Sequence, residues 1–309
     1  MPASPHWDTP ALWARLEPLL PGLSVEVLEQ TGSTNTAILE RVRMLSPAAT
    51  EAGPAAVRRS VESAAFGRRA TDVQPCLLVA EQQTGGRGRQ GRVWRSSAGA
   101  SLTFSLALPL RAADCSGLSL AVGVALADAL EPPAPEGDAR FGPPRIGLKW
   151  PNDLWLMDDA ASGRKLGGIL IETVTTGAHR LAVIGIGLNI APMAIDEASS
   201  GFASLQELQP EATPAEILHR VALPLVTALR QFERGEFAPF AARFAARDVL
   251  HGQPIRTTQA DAVEGVAQGV SPQGALLVHT AGGLRQVSSG DVTVRAVTAP
   301  GEARPALPC

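Results

Sequence analysis

Between Cys76 and Leu188 apolar and polar residues alternate over short stretches, and before and after that region apolar residues recur at helical spacing. The chain therefore reads as a strand-rich middle flanked by helices. Leu12, Trp13, Leu16, Leu19 and Leu20 share a helical face behind Asp8-Thr9-Pro10, which supplies an N-cap and a proline in the first turn. Ser24 to Leu28 alternates as a strand, Gly32-Ser33-Thr34-Asn35 predicts a capping turn, and a helix is expected over Thr36 to Leu45. Further strands are predicted over Cys76 to Glu81, Ser101 to Leu108, Arg145 to Lys149, Leu154 to Met157, Gly168 to Val174 and Leu181 to Leu188, with one helix over Ser116 to Leu130. Thr213-Pro214-Ala215-Glu216 combines an N-cap, a proline at the first helical position and a capping-box glutamate, so helices run from there to about Leu250. After His251 the pattern shortens to Pro254 to Thr257, Gly265 to Val270, Ala275 to His279, Leu284 to Val287 and Asp291 to Val294, which predicts a small barrel.

Strands in succession with only some helices between them imply an α+β fold: a mixed β-sheet with helices packed on one face, followed by the small C-terminal β-barrel. The domain boundary is placed near Val249, giving 1–249 and 250–309. Residues 46–74, rich in Ala, Pro, Arg and Glu without periodicity, read as a mobile insertion without chemistry. With 45% hydrophobic and 18% charged residues, and no apolar run of the ~20 residues a membrane helix needs, the chain is expected to be soluble. The N-terminus shows no secretory pattern, which places the expected location in the cytoplasm. Cys76, Cys115 and Cys309 are odd in number and far apart, so they read as reduced and structural. A net charge of −3 argues against general nucleic-acid binding.

Local charge runs the other way. Between Glu81 and Arg95 four arginines face a single acid, inside the glycine-rich stretch Gly86-Arg87-Gly88-Arg89-Gln90-Gly91-Arg92-Val93-Trp94. Glycines let backbone approach a ligand, and each guanidinium offers a planar fork suited to phosphate or carboxylate. A solvated basic loop would look the same in isolation. Lys149-Trp150-Pro151-Asn152-Asp153 gathers a cation, an amide and a carboxylate at a turn, a set suited to a metal-bound triphosphate or to an ordinary capped turn. Arg164-Lys165-Leu166-Gly167-Gly168-Ile169-Leu170-Ile171-Glu172 places Lys165 at a strand mouth beside two glycines, either as a charge-neutralising group or as an exposed hairpin lysine. Gly185-Ile186-Gly187-Leu188-Asn189 closes an apolar strand with glycines and an amide.

Taken together and in this order, the four clusters resemble the biotin protein ligases over roughly Ser24 to the C-terminus. The resemblance implies a class II synthetase-like core with an SH3-like C-terminal domain, and a two-step reaction. Biotin and MgATP give biotinyl-5′-AMP and pyrophosphate; a lysine of a biotin carboxyl carrier protein, from acetyl-CoA carboxylase or a related carboxylase, then takes the biotinyl group. Ser33, Thr34, Asn35 and Gln83 match positions that would bind the biotin head. Arg87, Gly88 and Arg89 match the loop closing on carboxylate and phosphate, Arg92 would join the phosphate contacts, and Trp94 matches a tryptophan near adenine. Lys165 matches the lysine at the reacting carboxyl and is expected to be catalytic together with Arg87 and Arg89. Asn152 and Asn189 would surround the nucleotide with Gly168, Gly185 and Gly187, Lys149 would be a second cation there, and Asp153 would hold Mg²⁺. Gly201 to Leu205 resembles a loop that folds over the adenylate, and Arg295 is a further candidate contact.

Only about twenty residues precede the first predicted strand, so the DNA-binding domain of bifunctional members is not expected and neither is operator binding. Homodimerisation through a sheet edge is open to such a chain, with no residue pattern deciding it. A lipoate or octanoate ligase of the same superfamily is the enzyme rival, against which the arginine-glycine loop speaks. Single-strand nucleic-acid binding would need more basic and aromatic residues. A catalytically dead biotin- or nucleotide-binding module is disfavoured by Lys165.

Overall fold

The computed structural model describes residues 7–44, 74–112, 114–133, 142–159, 162–176, 179–193, 201–258, 264–288 and 294–296. The 46–74 segment lies almost wholly outside them. Alternating side chains build a central sheet from β1 (Ser24–Thr31), β2 (Cys76–Gln83), β5 (Ser101–Pro109), β6 (Ile146–Lys149), β7 (Asp153–Met157), β8 (Gly163–Thr176) and β9 (His179–Asn189). Their order is β1-β2-β5-β9-β8-β7-β6, parallel between β1 and β2 and antiparallel elsewhere, so the expected mixed sheet is present. A two-stranded ribbon, β3 (Gly86–Arg87) with β4 (Val93–Trp94), stands apart from it.

The strand period of two sorts residues between two cores. Leu77 and Val79 of β2 join the large core with α1 (Thr9–Leu16), α3 (Leu118–Leu130) and α4 (Pro214–Gly235), whereas Leu78 faces a smaller cluster with Ile38, Leu39 and Val42 of α2 (Thr34–Met44). Three helices thus cover one face, and α2 adds a patch on the other, beside the site described below. Helix starts follow their caps. Asp8 Oδ1 accepts from Ala11 N at 3.3 Å, and Thr213 with Glu216 completes the expected capping box on α4. α3 is apolar nearly all round because it lies between the sheet and α4.

The second sheet contains β10 (Pro254–Thr257), β11 (Glu264–Val270), β12 (Leu276–Thr280), β13 (Gly283–Val287) and β14 (Val294–Ala296), all antiparallel in the order β13-β12-β11-β10-β14. Its last strand begins where the sequence pattern expected it to end; 291–293 lie outside the described residues, as do the side chains of β14, Arg295 included. The buried Trp150 joins the two sheets by donating Nε1–H to Gly274 O at 3.0 Å.

The chain passes from α5 (Ala241–Ala245) to β10 along the β6 edge, where Leu148 N donates to Arg247 O at 2.7 Å and Val249 N to Leu148 O at 3.1 Å. Asp248 stands there with Oδ1 accepting from Leu250 N and Oδ2 buried without a partner; burial pushes its carboxyl above the ordinary aspartate range. A carboxyl raised by folding stabilises the protein in its protonated form, and that contribution is lost as pH rises through the raised value. Asp248→Asn is therefore expected to raise Tm at pH 7.5, with the gain shrinking towards pH 4, in a thermal-unfolding series across that range.

Candidate active-site cleft

Opposite the α1/α3/α4 layer, one sheet face changes character along its length. On β9, Leu181 and Val183 are buried under α2, and the next residues on that face are Gly185, Gly187 and Asn189. The neighbouring strands match this register: Ser105 and Leu170 lie opposite Gly185, and Thr103 and Gly168 opposite Gly187. Half of the face is thus apolar core, and half is a trough floored by glycines and small polar groups.

The trough is a cleft of about 310 Å³, within the range common for small-molecule sites. It is lined by Ser33, Thr34, Asn35, Gln83, Arg87, Gly88, Arg89, Arg92, Trp94, Asn152, Asp153, Lys165, Gly168, Gly185, Gly187 and Asn189, all expected from the sequence, and also by Val93, Arg95, Ile169, Leu170, Ile186, Gly201 and Phe202. Among the described residues, Lys149 was expected at the site but does not line it: its ammonium sits 4.0 Å from the centroid of the Trp155 ring. Lining residues include four arginines and Lys165 against Asp153, so the cleft is suited to an anion.

At the α2 end, the helix begins two residues earlier than the sequence predicts, which puts Thr34 and Asn35 in its first turn and aims them at the sheet. Thr34 N donates to Gln83 Oε1 at 2.7 Å, Ser105 Oγ lies 2.6 Å from both Thr34 Oγ1 and Asn35 Oδ1, and Asn35 Nδ2 donates to Glu172 Oε2 at 2.9 Å. Gly185 makes room for this: a Cβ there would overlap the Asn35 amide, with Cγ only 2.9 Å away. Arg87 pairs with Glu172 at 3.2 Å, so the arginine loop is tethered to the same network.

That loop folds as the β3–β4 ribbon, Gly86 opposite Trp94, closed by Gly88 N donating to Arg92 O at 2.7 Å. Its tip takes positive φ at Gln90 and Gly91, the turn for which the glycine-rich sequence is suited. Trp94 lies against Gly187, where a Cβ would stand 2.6 Å from Cζ2 and 2.8 Å from Nε1, and its indole N–H is buried without a partner.

Lys165 enters from β8. Its Nζ is 2.7 Å from Asp153 Oδ1 and 6.0 Å from the Trp94 ring centroid. The β6–β7 turn that presents Asp153 contains a cis Trp150–Pro151 peptide and is pinned to β8 by Asn152 Nδ2 on Ile169 O at 2.7 Å. Asn189 holds the backbone behind the lysine, donating to Lys165 O at 3.2 Å and Ala203 O at 3.1 Å, while Ala203 N donates to Lys165 O at 3.0 Å. Among the described residues no group of three or more His, Cys, Asp or Glu stands ready to hold a metal, and no helix is long and apolar enough to cross a membrane. Among the described residues, Cys76 and Cys115 are not joined in a disulfide.

Three contributors carry no role read from the sequence: Ser105, and Arg164 and Glu172 at the two ends of the Lys165 cluster. Ser105 and Glu172 complete the α2-end network, and Arg164 clamps the 201–203 segment: it bonds Asp158, Glu207 and Phe202 O at 2.6, 2.8 and 3.0 Å. Hydrogen bonds from Arg164 hold the Asp158 and Glu207 carboxyls below their ordinary range. Because folding lowers those values, the clamp is intact at neutral pH and is lost as pH falls through them, below the ordinary carboxylate range. Arg164→Ala is expected to speed hydrogen exchange at the Ala203 amide about tenfold at pH 7, the loss of roughly one charged hydrogen bond.

Residues 68–189 match the model of the biotin/lipoate A/B protein ligase family, and residues 250–295 match the biotin protein ligase C terminal domain. The chain is 31% identical over 282 residues to the bifunctional ligase/repressor BirA of Escherichia coli, covering 89% of this chain and 75% of that one. It is 32% identical over 277 residues to the biotin-[acetyl-CoA-carboxylase] ligase of Mycobacterium tuberculosis, covering 87% and 88%. Among solved structures, the fold is similar to the biotin protein ligase from Aquifex aeolicus in complex with biotin and ATP, with a TM-score of 0.64 at 23% identity over 89% of this chain and 99% of that one.

Proposed function

Because the chain belongs to the biotin protein ligase family, we propose that it activates biotin with ATP as biotinyl-5′-AMP and transfers the biotinyl group to a lysine of a biotin carboxyl carrier protein. The acceptor is the carrier domain of acetyl-CoA carboxylase or of a related carboxylase. The observation that carries this reading is the layout of one cleft: a hydrogen-bonding end at Gly185 and a cationic end at Lys165, joined along β9. From Gly185 to Asn189 a strand advances about 13 Å, enough for a ring head and its acyl chain to lie extended with the carboxylate near Lys165.

In this reading Ser33, Thr34, Asn35 and Gln83 hold the ureido head. A biotin carboxylate oxygen attacks the α-phosphorus, pyrophosphate leaves, and the carrier amine then attacks the acyl carbon as AMP leaves. Lys165, fixed by its bond to Asp153, neutralises charge on the reacting carboxylate and phosphate, while Arg87, Arg89 and Arg92 close on the phosphates. Trp94 offers a stacking surface for adenine. Asp153 suits a Mg²⁺ that keeps its waters and takes phosphate oxygens, since such an ion needs only one or two protein carboxylates. When bound, that ion would offset the charge of the leaving pyrophosphate. Every lining residue falls between Ser33 and Phe202, so we assign adenylate chemistry to residues 1–249 and an accessory role to 250–309.

The test is pyrophosphate release measured with ATP plus biotin, ATP plus lipoate, and ATP alone. Release that requires biotin supports the reading; release only with lipoate, or none with either acid, overturns it.

A further inference from the structure

Ser105 is wholly buried, does not line the cleft, and touches two residues that do, Thr34 and Asn35. Donor counting fixes the direction of every bond in this group. Asn35 Nδ2 faces Leu170 O at 3.2 Å and Glu172 Oε2 at 2.9 Å, both acceptors only, so the amide nitrogen belongs on that side and Oδ1 faces Ser105. Oδ1 cannot donate, and therefore the single Ser105 hydroxyl hydrogen goes to it across 2.6 Å. The 2.6 Å contact between Ser105 and Thr34 then leaves Thr34 as the donor, even though Gln83 Oε1 stands 3.2 Å from the same hydroxyl; Gln83 Oε1 already accepts from Thr34 N at 2.7 Å.

We infer that Ser105 is a positioning residue that consumes the Thr34 proton, so that the Thr34 oxygen faces the cleft as an acceptor and selects a ligand whose head carries an N–H donor. The polarity starts at the Glu172 carboxylate and passes through Asn35 and Ser105 to Thr34, each bond strengthening the next. A cyclic urea satisfies the Thr34 oxygen. A dithiolane ring has no N–H and would leave the hydroxyl of the buried Thr34 unpaired on its cleft side, at the cost that makes polar sites reject ligands lacking the matching group. This inference rests on the biotin-ligase reading and adds how the site distinguishes biotin from a lipoyl-type acid.

Calorimetric titration of biotin into wild type, Ser105→Ala, Ser105→Cys, Thr34→Val and the Ser105→Ala/Thr34→Val double variant tests it, with KM for ATP and Tm measured on each. Ser105→Ala frees the Thr34 hydroxyl hydrogen to turn towards the cleft, so biotin affinity is expected to fall on the order of tenfold or more while KM for ATP stays within about twofold. Ser105→Cys keeps the approximate volume but donates weakly, and is expected to remain impaired. Because Ser105 acts through Thr34, the double variant should bind little worse than Thr34→Val alone. Multiplying losses in the double variant, or full recovery by Ser105→Cys, would assign Ser105 to packing and overturn the inference. Absence of biotin binding by the wild type would instead overturn the functional reading itself.

Discussion

Lys165→Ala is expected to lower biotin-dependent pyrophosphate release by about 10²- to 10³-fold, the usual consequence of removing one preorganised group that stabilises charge in a transition state. Biotin binding should remain measurable, because the groups assigned to the head lie around Gly185 and none contacts Lys165. The lysine is held for this purpose from three sides: Asp153 on its ammonium, and Asn189 and Ala203 on its carbonyl. Removing it leaves Asp153 without its cation, which alone could perturb the fold. Lys165→Ala with Asp153→Asn separates the two effects. The double variant should unfold at a temperature close to the wild type's and remain at least as slow as the single one. Retained pyrophosphate release in Lys165→Ala would remove Lys165 from the chemistry.

The second large effect is expected at Gly187. An alanine there would put its Cβ 2.6 Å from Cζ2 and 2.8 Å from Nε1 of Trp94, so the indole must leave its seat. Trp94 has little freedom to do so cheaply, since it is paired with Gly86 across the β3–β4 ribbon. The displaced surface is the one assigned to adenine. Gly187→Ala should therefore raise KM for ATP about tenfold or more, with overpacking lowering stability by roughly 1–3 kcal/mol. Steady-state kinetics varying each substrate in turn checks this; an unchanged KM for ATP would detach Trp94 from the nucleotide.

Both predictions concern residues that stood out in the sequence, because their motifs are contiguous and rich in types that mark ligand approach. Gly86 to Trp94, Lys149 to Asp153, Arg164 to Glu172 and Gly185 to Asn189 each contribute residues to the same cleft. The sheet strands were legible from their period of two, and α4 from its capping box. What escaped was carried by long-range pairing. Ser105 sits inside the run Ser101–Pro109, where only the register opposite Gly185 reveals which face it shares. Glu172 meets Asn35 across 137 positions, and Arg164 meets Glu207 across 43. Lys149 shows the reverse case: its motif pointed to the nucleotide, but the next strand places Trp155 under its ammonium, and that contact turns it from the cleft. The helix start at Thr34 was also missed, because Ser33-Thr34-Asn35 satisfies a turn as readily as a first helical turn.

Biotinyl transfer is measured most directly by the intact mass of a biotin carboxyl carrier domain after incubation with this protein, ATP and either biotin or lipoate. A single biotinyl adduct on the carrier lysine is expected, dependent on ATP and absent with lipoate. A lipoyl adduct in place of the biotinyl one, or an unmodified carrier in both reactions, would contradict it.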